Sequence, residues 1–268
     1  MQTSEVSKYG SPARLGEIKT EGTSSLTTPE LSIVILCYKA EDFVPIYVGK
    51  VKQLLETEQL RYELVLVANF YPQEGRPDST PAITAELARK DTHVRTVAKP
   101  KQGGMGWDLR SGLVAATGDA VAFIDGDGQM PPEDVIVAYK KFQEGSYDLV
   151  TTYRIDRFDG VIRTVISWIF NRLFKLLFPW IKVRDVNSKP KILSRRALDM
   201  LNLRSDGWFI DAEIIILASR LGLRIGEVPT KFYRNEYRKS FIRPSAFLEF
   251  IQEMLRHRFV KAGRNGHR

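Results

Sequence analysis

Two carboxylates placed two residues apart, just past an apolar run, carry the strongest chemical signal in the chain. The run Ala120–Ile124 is followed by Asp125, Gly126, Asp127, Gly128 and Gln129. On such a loop Asp125 and Asp127 can converge on one hard divalent cation, Mg2+ or Mn2+, with the Gln129 amide completing or flanking the shell. A cation held this way bridges a diphosphate and steadies its charge as it departs. An EF-hand calcium loop does not fit, because Met130 stands where that loop needs glycine and Ile136 where it needs glutamate. A ligand-free Asp/Gly turn is the plain alternative.

A second loop, Lys101–Gly106, carries Gly103, Gly104 and Gly106 and could let backbone approach a ligand closely. It lacks the Gly-Lys-Ser/Thr ending of a P-loop, and Leu109 stands where a dinucleotide fingerprint needs its third glycine. Further on, Asp211 and Glu213 sit two apart where the helical run Ile214–Leu221 begins. They either cap that helix, or face an acceptor, or orient a basic phosphate ligand. Glu227–Pro229 reads as a last edge strand ending at its proline. Beyond it Lys231, Arg234, Arg238, Lys239 and Arg243 are interleaved with Phe232, Tyr233, Tyr237 and Phe241. That stretch is either a solvated charged tail or a flap that closes on phosphates.

These loops need elements to hold them. Leu31–Tyr38 is a short apolar run of the kind buried in parallel sheets. A helix is expected over roughly Val44–Leu60, a strand at Glu63–Ala68, a helix at Ile83–Arg89 and a strand at His93–Ala98. Gly112–Ala116 reads as helical, and Ala120–Ile124 and Asp148–Thr152 read as the fourth and fifth strands. Alternation at this spacing predicts an α/β, doubly wound, mostly parallel sheet, with ligands at the carboxyl ends of its strands.

The segment Gly160–Lys182 is unusual. Arg163, Ser167, Asn171 and Lys175 recur every four residues and leave a wide, bulky apolar surface that includes Trp168, Phe170, Phe174, Phe178 and Trp180. Such a helix is either buried in a core or meets lipid at an interface. Its longest charge-free stretch, Thr164–Asn171, is far short of the roughly 20 apolar residues that span a bilayer. Ser245–Arg258 reads as a second amphipathic contact.

Composition sets the outer bounds. The 268 residues are 43% hydrophobic and 27% charged, which excludes collagen, disulfide scaffolds and wholly disordered chains. Cys37 is the single cysteine, and the start of the chain lacks the basic-then-apolar run of a secretory signal. Both point to a reducing, cytoplasmic setting. The net charge of +8 is unevenly placed. Residues 154–204 hold 12 Lys/Arg against 4 Asp/Glu, and residues 224–268 hold 11 against 4, while the remainder is acidic. A basic second half suggests an anionic partner: nucleic acid, a membrane surface or a phosphate-bearing substrate. The aromatics fall at helical spacing with no stacking platform, so nucleic acid is not the expected partner.

Taken in order, the first strand with Tyr38, the glycine loop, the Asp125–Gln129 loop, Trp208-x-x-Asp211-x-Glu213 and Glu227-Val228-Pro229 resemble the family 2 glycosyltransferases of GT-A fold. The likeness spans residues 31–242 and is greatest to polyprenyl-phosphate sugar transferases of the dolichyl-phosphate mannose synthase type. It implies a metal-dependent, inverting hexosyltransferase. Such an enzyme moves a sugar from a UDP- or GDP-type donor to a dolichyl or undecaprenyl phosphate, peripherally associated with the cytoplasmic face of a membrane. By that resemblance Asp125, Asp127 and Gln129 hold Mg2+ or Mn2+, and Asp127 is catalytic. Leu36, Tyr38, Asn69, Gly104, Asp125, Gly126 and Asp127 would bind the nucleotide sugar, and Arg154, Lys191 and Arg234 the acceptor phosphate. The implied organisation is a disordered tail at 1–29, a nucleotide-sugar and metal half at 30–153, an acceptor half at 154–240 with its interface helix at 160–182, and a basic amphipathic helix and tail at 241–268.

The chain departs from the family pattern at several positions. Leu36 and Ala40 replace a Pro and a Glu around Tyr38, Ala68-Asn69 replace two aspartates, and Met105 stands where a lysine is common. After Pro229 the expected Arg aligns with Asn235, and Phe241 replaces a lysine. Two rival functions follow from these residues. One is transfer to a saccharide hydroxyl with Asp211 or Glu213 as the catalytic base. The other is a membrane-associated binding protein with impaired catalysis, motivated by Ala40, Ala68 and Met105.

Overall fold

The apolar runs become central strands because both of their faces are covered. The computed structural model describes residues 28–72, 78–157, 161–233 and 245–259. Among these, one sheet contains β1 (Leu31–Leu36), β2 (Tyr62–Val67), β3 (Val94–Val97), β4 (Ala120–Asp125), β5 (Leu149–Arg157), β6 (Lys191–Ser194) and β7 (Ile225–Phe232). Their order is β3-β2-β1-β4-β6-β5-β7, and only β6 runs antiparallel, between β4 and β5. The flanking helices are α1 (Phe43–Thr57), α2 (Thr80–Lys90), α3 (Met105–Ala115), α4 (Glu133–Gln143), α5 (Val161–Leu177), α6 (Arg195–Met200), α7 (Ile210–Arg220) and α8 (Ser245–Phe259). The mixed α/β, mostly parallel sheet expected from the sequence is thus present.

Every residue of β1 and β2 is buried, and successive side chains enter opposite layers. Val34, Leu36, Val65 and Val67 join the core beneath α3 and α7, while Ile33, Ile35, Leu64 and Leu66 join the one beneath α1 and α4. Each such side chain contributes about 1.5–3 kcal/mol of burial. The chain leaves β1 toward β2 on one side and reaches β4 on the other, so the strand order reverses between β1 and β4. A crevice opens there at the carboxyl ends, where Leu36 and Asp125 are register partners.

Several elements differ from expectation. α3 starts at Met105, seven residues before Gly112, because its first turn is hidden in a glycine-rich stretch. α4, β6 and α6 were not anticipated; β6 is only four residues long and buries a lysine. β7 does not end at Pro229 but continues to Phe232. It is the sheet edge, paired only with β5, and an edge strand tolerates the missing N–H of proline.

In α5 the polar residues Ser167 and Asn171 turn toward the protein, while Lys175 stays exposed. Asn171 Oδ1 accepts the Val186 N–H at 3.4 Å, and Arg154 Nη2 lies 3.4 Å from Ser167 Oγ. Phe170, Phe174 and Phe178 are buried, and Phe170 meets Phe250 of α8 at 4.7 Å between ring centroids. Val165, Ile166, Trp168, Ile169 and Leu176 remain exposed. One helix therefore carries a buried apolar face and an exposed apolar face. Among the described residues, no helix is long and apolar enough to cross a membrane. Nearly all of the expected N-terminal tail, and most of the expected flap including Arg234, lie outside the described residues.

Candidate active site

The aspartate loop is shaped by its glycines. The Gly126 N–H donates to the Leu36 carbonyl at 2.9 Å, and a Cβ at Gly126 would sit 2.9 Å from Ile35 Cγ2. Only glycine lets this loop fold back across the end of β1. Gly128 closes the turn at φ +73°, a conformation that favours glycine. Asp127 Oδ1 accepts the Gln129 N–H at 3.1 Å, an Asx turn. Gln129 is tied to the end of β7: its carbonyl accepts the Tyr233 N–H at 2.8 Å, and its Nε2 donates to the Tyr233 carbonyl at 3.1 Å.

Across from this loop stand two buried lysines. Because β6 runs antiparallel beside β4, with Lys191 opposite Phe123, the residues before it cross the carboxyl end of β4. Lys189 Nζ thereby reaches Asp125 Oδ2 at 3.0 Å and Asp211 Oδ2 at 3.1 Å. Lys191 Nζ donates to Asp211 Oδ1 and to the Ser188 carbonyl, both at 2.6 Å. Burial opposes the charge of Lys189, but attraction from Asp125 and Asp211 outweighs it and raises the ammonium above the usual lysine range. For Lys191 burial prevails over Asp211, with the nearby Lys189 charge adding to it, and the pKa is lowered. Asp211 sits in the first turn of α7, where the helix dipole favours a carboxylate.

Asp211 and Glu213 are not a working pair. Two residues on a helix are separated by about 200°, so their side chains diverge. Glu213, 1% exposed, accepts backbone N–H groups of Arg204 at 3.1 Å and Ser205 at 2.9 Å. Glu213 thus fixes the loop ahead of α7, whereas Asp211 faces the lysines. Arg154 is held bidentately by Asp185, with Nε at 2.6 Å from Oδ2 and Nη2 at 2.9 Å from Oδ1. Burial would raise the Asp185 pKa, but Arg154 more than offsets it and holds the carboxyl below its ordinary value.

An aromatic corner lies at the ends of β1 and β2. Tyr38 and Tyr71 meet edge to face with centroids 6.2 Å apart, and Lys101 Nζ lies 4.1 Å from the Tyr38 centroid and 5.5 Å from that of Tyr71. Lys101 is ion-paired with the buried Asp108, which also accepts from Asn69 Nδ2 at 2.9 Å. Burial pushes the Asp108 carboxyl up, against the pull of Lys101 and Asn69. Asn69 Oδ1 in turn accepts the Lys99 N–H at 2.9 Å. A carboxylate at the end of β2 is thus supplied by α3, in the region where the family pattern has aspartates on the strand end itself.

The glycine loop packs against the backbone ahead of α7. A Cβ at Gly106 would lie 2.3 Å from the Ser205 carbonyl, and the Gly106 and Trp107 N–H groups donate to Gly207 and Asp206 carbonyls at 3.0 and 3.1 Å. Its glycines admit the 205–207 backbone, and Gly104 likewise abuts Asp206. Lys189, Asp185, Asp108 and Tyr71 were not singled out in the sequence. The usable signal for Lys189 was two lysines flanking Pro190 at the entry to a strand, since a lysine buried there needs carboxylate partners.

Asp125 and Asp127 offer the hard oxygen donors that Mg2+ or Mn2+ takes. The Tyr47 hydroxyl is buried and has no hydrogen-bond partner among the described residues. Burial foremost, then the charges of Asp127 and Asp125, push its pKa well up. The oxygen donors of Asp125 and Asp127, beside this orphaned hydroxyl, fit a cation. Among the described residues no three His, Cys, Asp or Glu side chains form one metal-binding group, so a cation here would draw further oxygens from substrate or water.

An undecaprenyl-phosphate 4-deoxy-4-formamido-L-arabinose transferase of Klebsiella pneumoniae is 28% identical over 210 residues, covering 78% of this chain and 61% of that protein. The chain therefore spans about three fifths of that relative's length. The crystal structure of Mycobacterium tuberculosis glucosyl-3-phosphoglycerate synthase with Mn2+, UDP and phosphoglyceric acid superposes with a TM-score of 0.62 at 20% identity, over 85% of this chain and 77% of that one. The same synthase with Mn2+, UDP and glucosyl-3-phosphoglycerate gives 0.64 at 20% identity, over 88% and 82%. At such identity the likeness establishes the fold, which is GT-A. Residues 32–201, more than half of the chain, match the family described as Glycosyl transferase family 2. The chain belongs to that family.

Proposed function

We propose that this chain is a glycosyltransferase that moves a sugar from a nucleoside diphosphate sugar to a polyprenyl phosphate at a membrane surface, with inversion at the anomeric carbon. The observation that carries this reading lies at the reversal point of the sheet, where Lys189 bridges Asp125 of the aspartate loop and Asp211 of α7. In this reading Tyr38, Tyr71 and Lys101 receive the base, and the donor diphosphate lies over the Asp125–Asp127 loop. A divalent cation on Asp125 and Asp127, when bound, supplies charge stabilisation for the departing nucleoside diphosphate. The acceptor phosphate is already anionic, so its oxygen attacks the anomeric carbon without a strong general base. Arg154, fixed by Asp185, orients that phosphate, and Lys191 acts through Asp211. Glu213 has no part in the chemistry.

Two observations support a lipid acceptor. The Klebsiella relative is named for transfer to undecaprenyl phosphate. Arg154 also lies beside α5, whose exposed Val165, Trp168 and Ile169 give an isoprenoid tail or bilayer surface an apolar seat. The donor half of the proposal is tested by thermal unfolding with UDP and GDP, each with Mn2+ or with EDTA. One nucleotide with Mn2+ should raise the melting temperature, since a ligand bound only to the folded state adds stability by mass action. Asp127→Ala should abolish the rise. Absence of any shift with either nucleotide would favour a binding protein that has lost its donor site.

A further inference from the structure

Lys189 carries no assigned role in donor or acceptor binding, yet it links the two sides of the site. Its ammonium bridges Asp125 Oδ2 at 3.0 Å and Asp211 Oδ2 at 3.1 Å, with Met105 Sδ at 3.4 Å. Its side chain is 4% exposed, and Asp211 is itself anchored from the other oxygen by Lys191 at 2.6 Å. Position 105 is where the family pattern commonly has lysine; here methionine stands there, and an ammonium reaches it from position 189. A dication approaching Asp125 therefore meets a fixed positive charge already bonded to that carboxylate. At close range and low effective dielectric, such repulsion offsets part of the attraction that Asp125 and Asp127 offer the dication. A nucleoside diphosphate changes the balance. Its phosphate oxygens bring negative charge and ligands for a cation, and they give the ammonium a second anionic partner.

We propose that Lys189 is a built-in counter-ion of Asp125 that makes divalent-cation binding conditional on the nucleoside diphosphate; this rests on the metal assignment of the Asp125–Asp127 loop made above. Lys189 is a positioning residue: it keeps Asp125 neutralised and oriented until the donor arrives, and so sets an order in which nucleotide precedes the metal or enters with it. No bond is made or broken by it.

The test is a Mn2+ titration read by the electron paramagnetic resonance of free Mn2+. It uses the full chain and the variants Lys189→Met, Lys189→Gln and Lys189→Arg, each alone and with UDP or GDP. The wild type should bind Mn2+ at least about tenfold more weakly without nucleotide than with it. Either neutral variant should bind Mn2+ alone more tightly than wild type, on the order of tenfold, while Lys189→Arg stays near wild type. Tightening is a direction that misfolding cannot imitate, and two neutral variants guard against one failing to fold. Equal or weaker binding of Mn2+ alone by both neutral variants, with normal binding beside nucleotide, would overturn the counter-ion role and leave the metal site standing. If neither wild type nor variants bind Mn2+ even with nucleotide, the metal assignment falls and this proposal with it.

Discussion

Arg154 and Asp185 form a nearly buried pair whose two halves are worth most together. Removing the guanidinium strands a carboxylate in the interior, so Arg154→Met should cost about 3–5 kcal/mol at pH 7, read from urea unfolding. The pH dependence should change sign with it. In the wild type the Asp185 pKa is held below its unfolded value, so this contribution is present at neutral pH and is lost as pH falls through the depressed folded value. In the variant, the unpaired buried carboxyl is raised instead, and that part of the stability is regained as pH falls toward about 4. At Gly106 the expected effect is steric: a methyl group would sit 2.3 Å from the Ser205 carbonyl, and Gly106→Ala should cost about 1–3 kcal/mol in the same assay. Tyr38→Ala should weaken nucleotide binding by about tenfold if a base stacks there, measured by calorimetry with Mn2+. How legible these residues were in the sequence differs with their surroundings. Asp125 and Asp127 were visible because a strand end and two glycines frame them. Lys189 and Asp108 were not, because each gains its meaning from a partner more than 30 residues away: Asp125 for one, Asn69 for the other.

The central strands were readable because burial on both faces leaves mostly apolar runs, as in β1 and β4. β6 was not, since its buried Lys191 breaks that pattern and its antiparallel entry follows no local rule. α8 shows what an element adds beyond its own helical pattern. Glu249 accepts the Trp208 N–H at 3.0 Å, Arg220 donates to the His257 carbonyl, and His257 Nε2 lies 3.8 Å from Glu213. The helix thus clasps the loop leading into α7, which Glu213 also holds. Burial, with help from Arg220 and against Glu213, lowers the His257 pKa. A histidine depressed on folding binds its proton more readily when unfolded, so stability should be full above about pH 6.5 and decline as pH falls through that value toward the folded pKa. His257→Gln should flatten this slope in melting temperatures taken between pH 5 and 8, and a slope left unchanged by that substitution would assign it to other groups. For α5, Trp168→Glu with Ile169→Glu should reduce flotation with anionic vesicles by about tenfold while leaving the melting temperature nearly unchanged, since both side chains are exposed.

At the scale of the molecule, one sheet carries a carboxylate-bearing edge of the crevice and a cation-bearing edge. The first four strands bring the aspartate loop and the aromatic corner; the segments around β5, β6 and α7 bring Arg154, Lys189 and Lys191. The +8 net charge is thus unevenly spread. Vesicle association through the basic side should weaken as salt shortens the Debye length to about 3 Å at 1 M. The central claim, transfer of sugar to a lipid phosphate, is tested most directly by offering acceptors in competition. The chain, Mn2+ and the nucleotide sugar it binds are mixed with polyprenyl phosphate in vesicles and with an equal concentration of saccharide acceptors, and the labelled products are separated. The account predicts a sugar linked through phosphate to the polyprenyl chain, formed by wild type and lost in Asp127→Ala. Label found only on saccharide hydroxyls, or equal yield from Asp127→Ala, would contradict it.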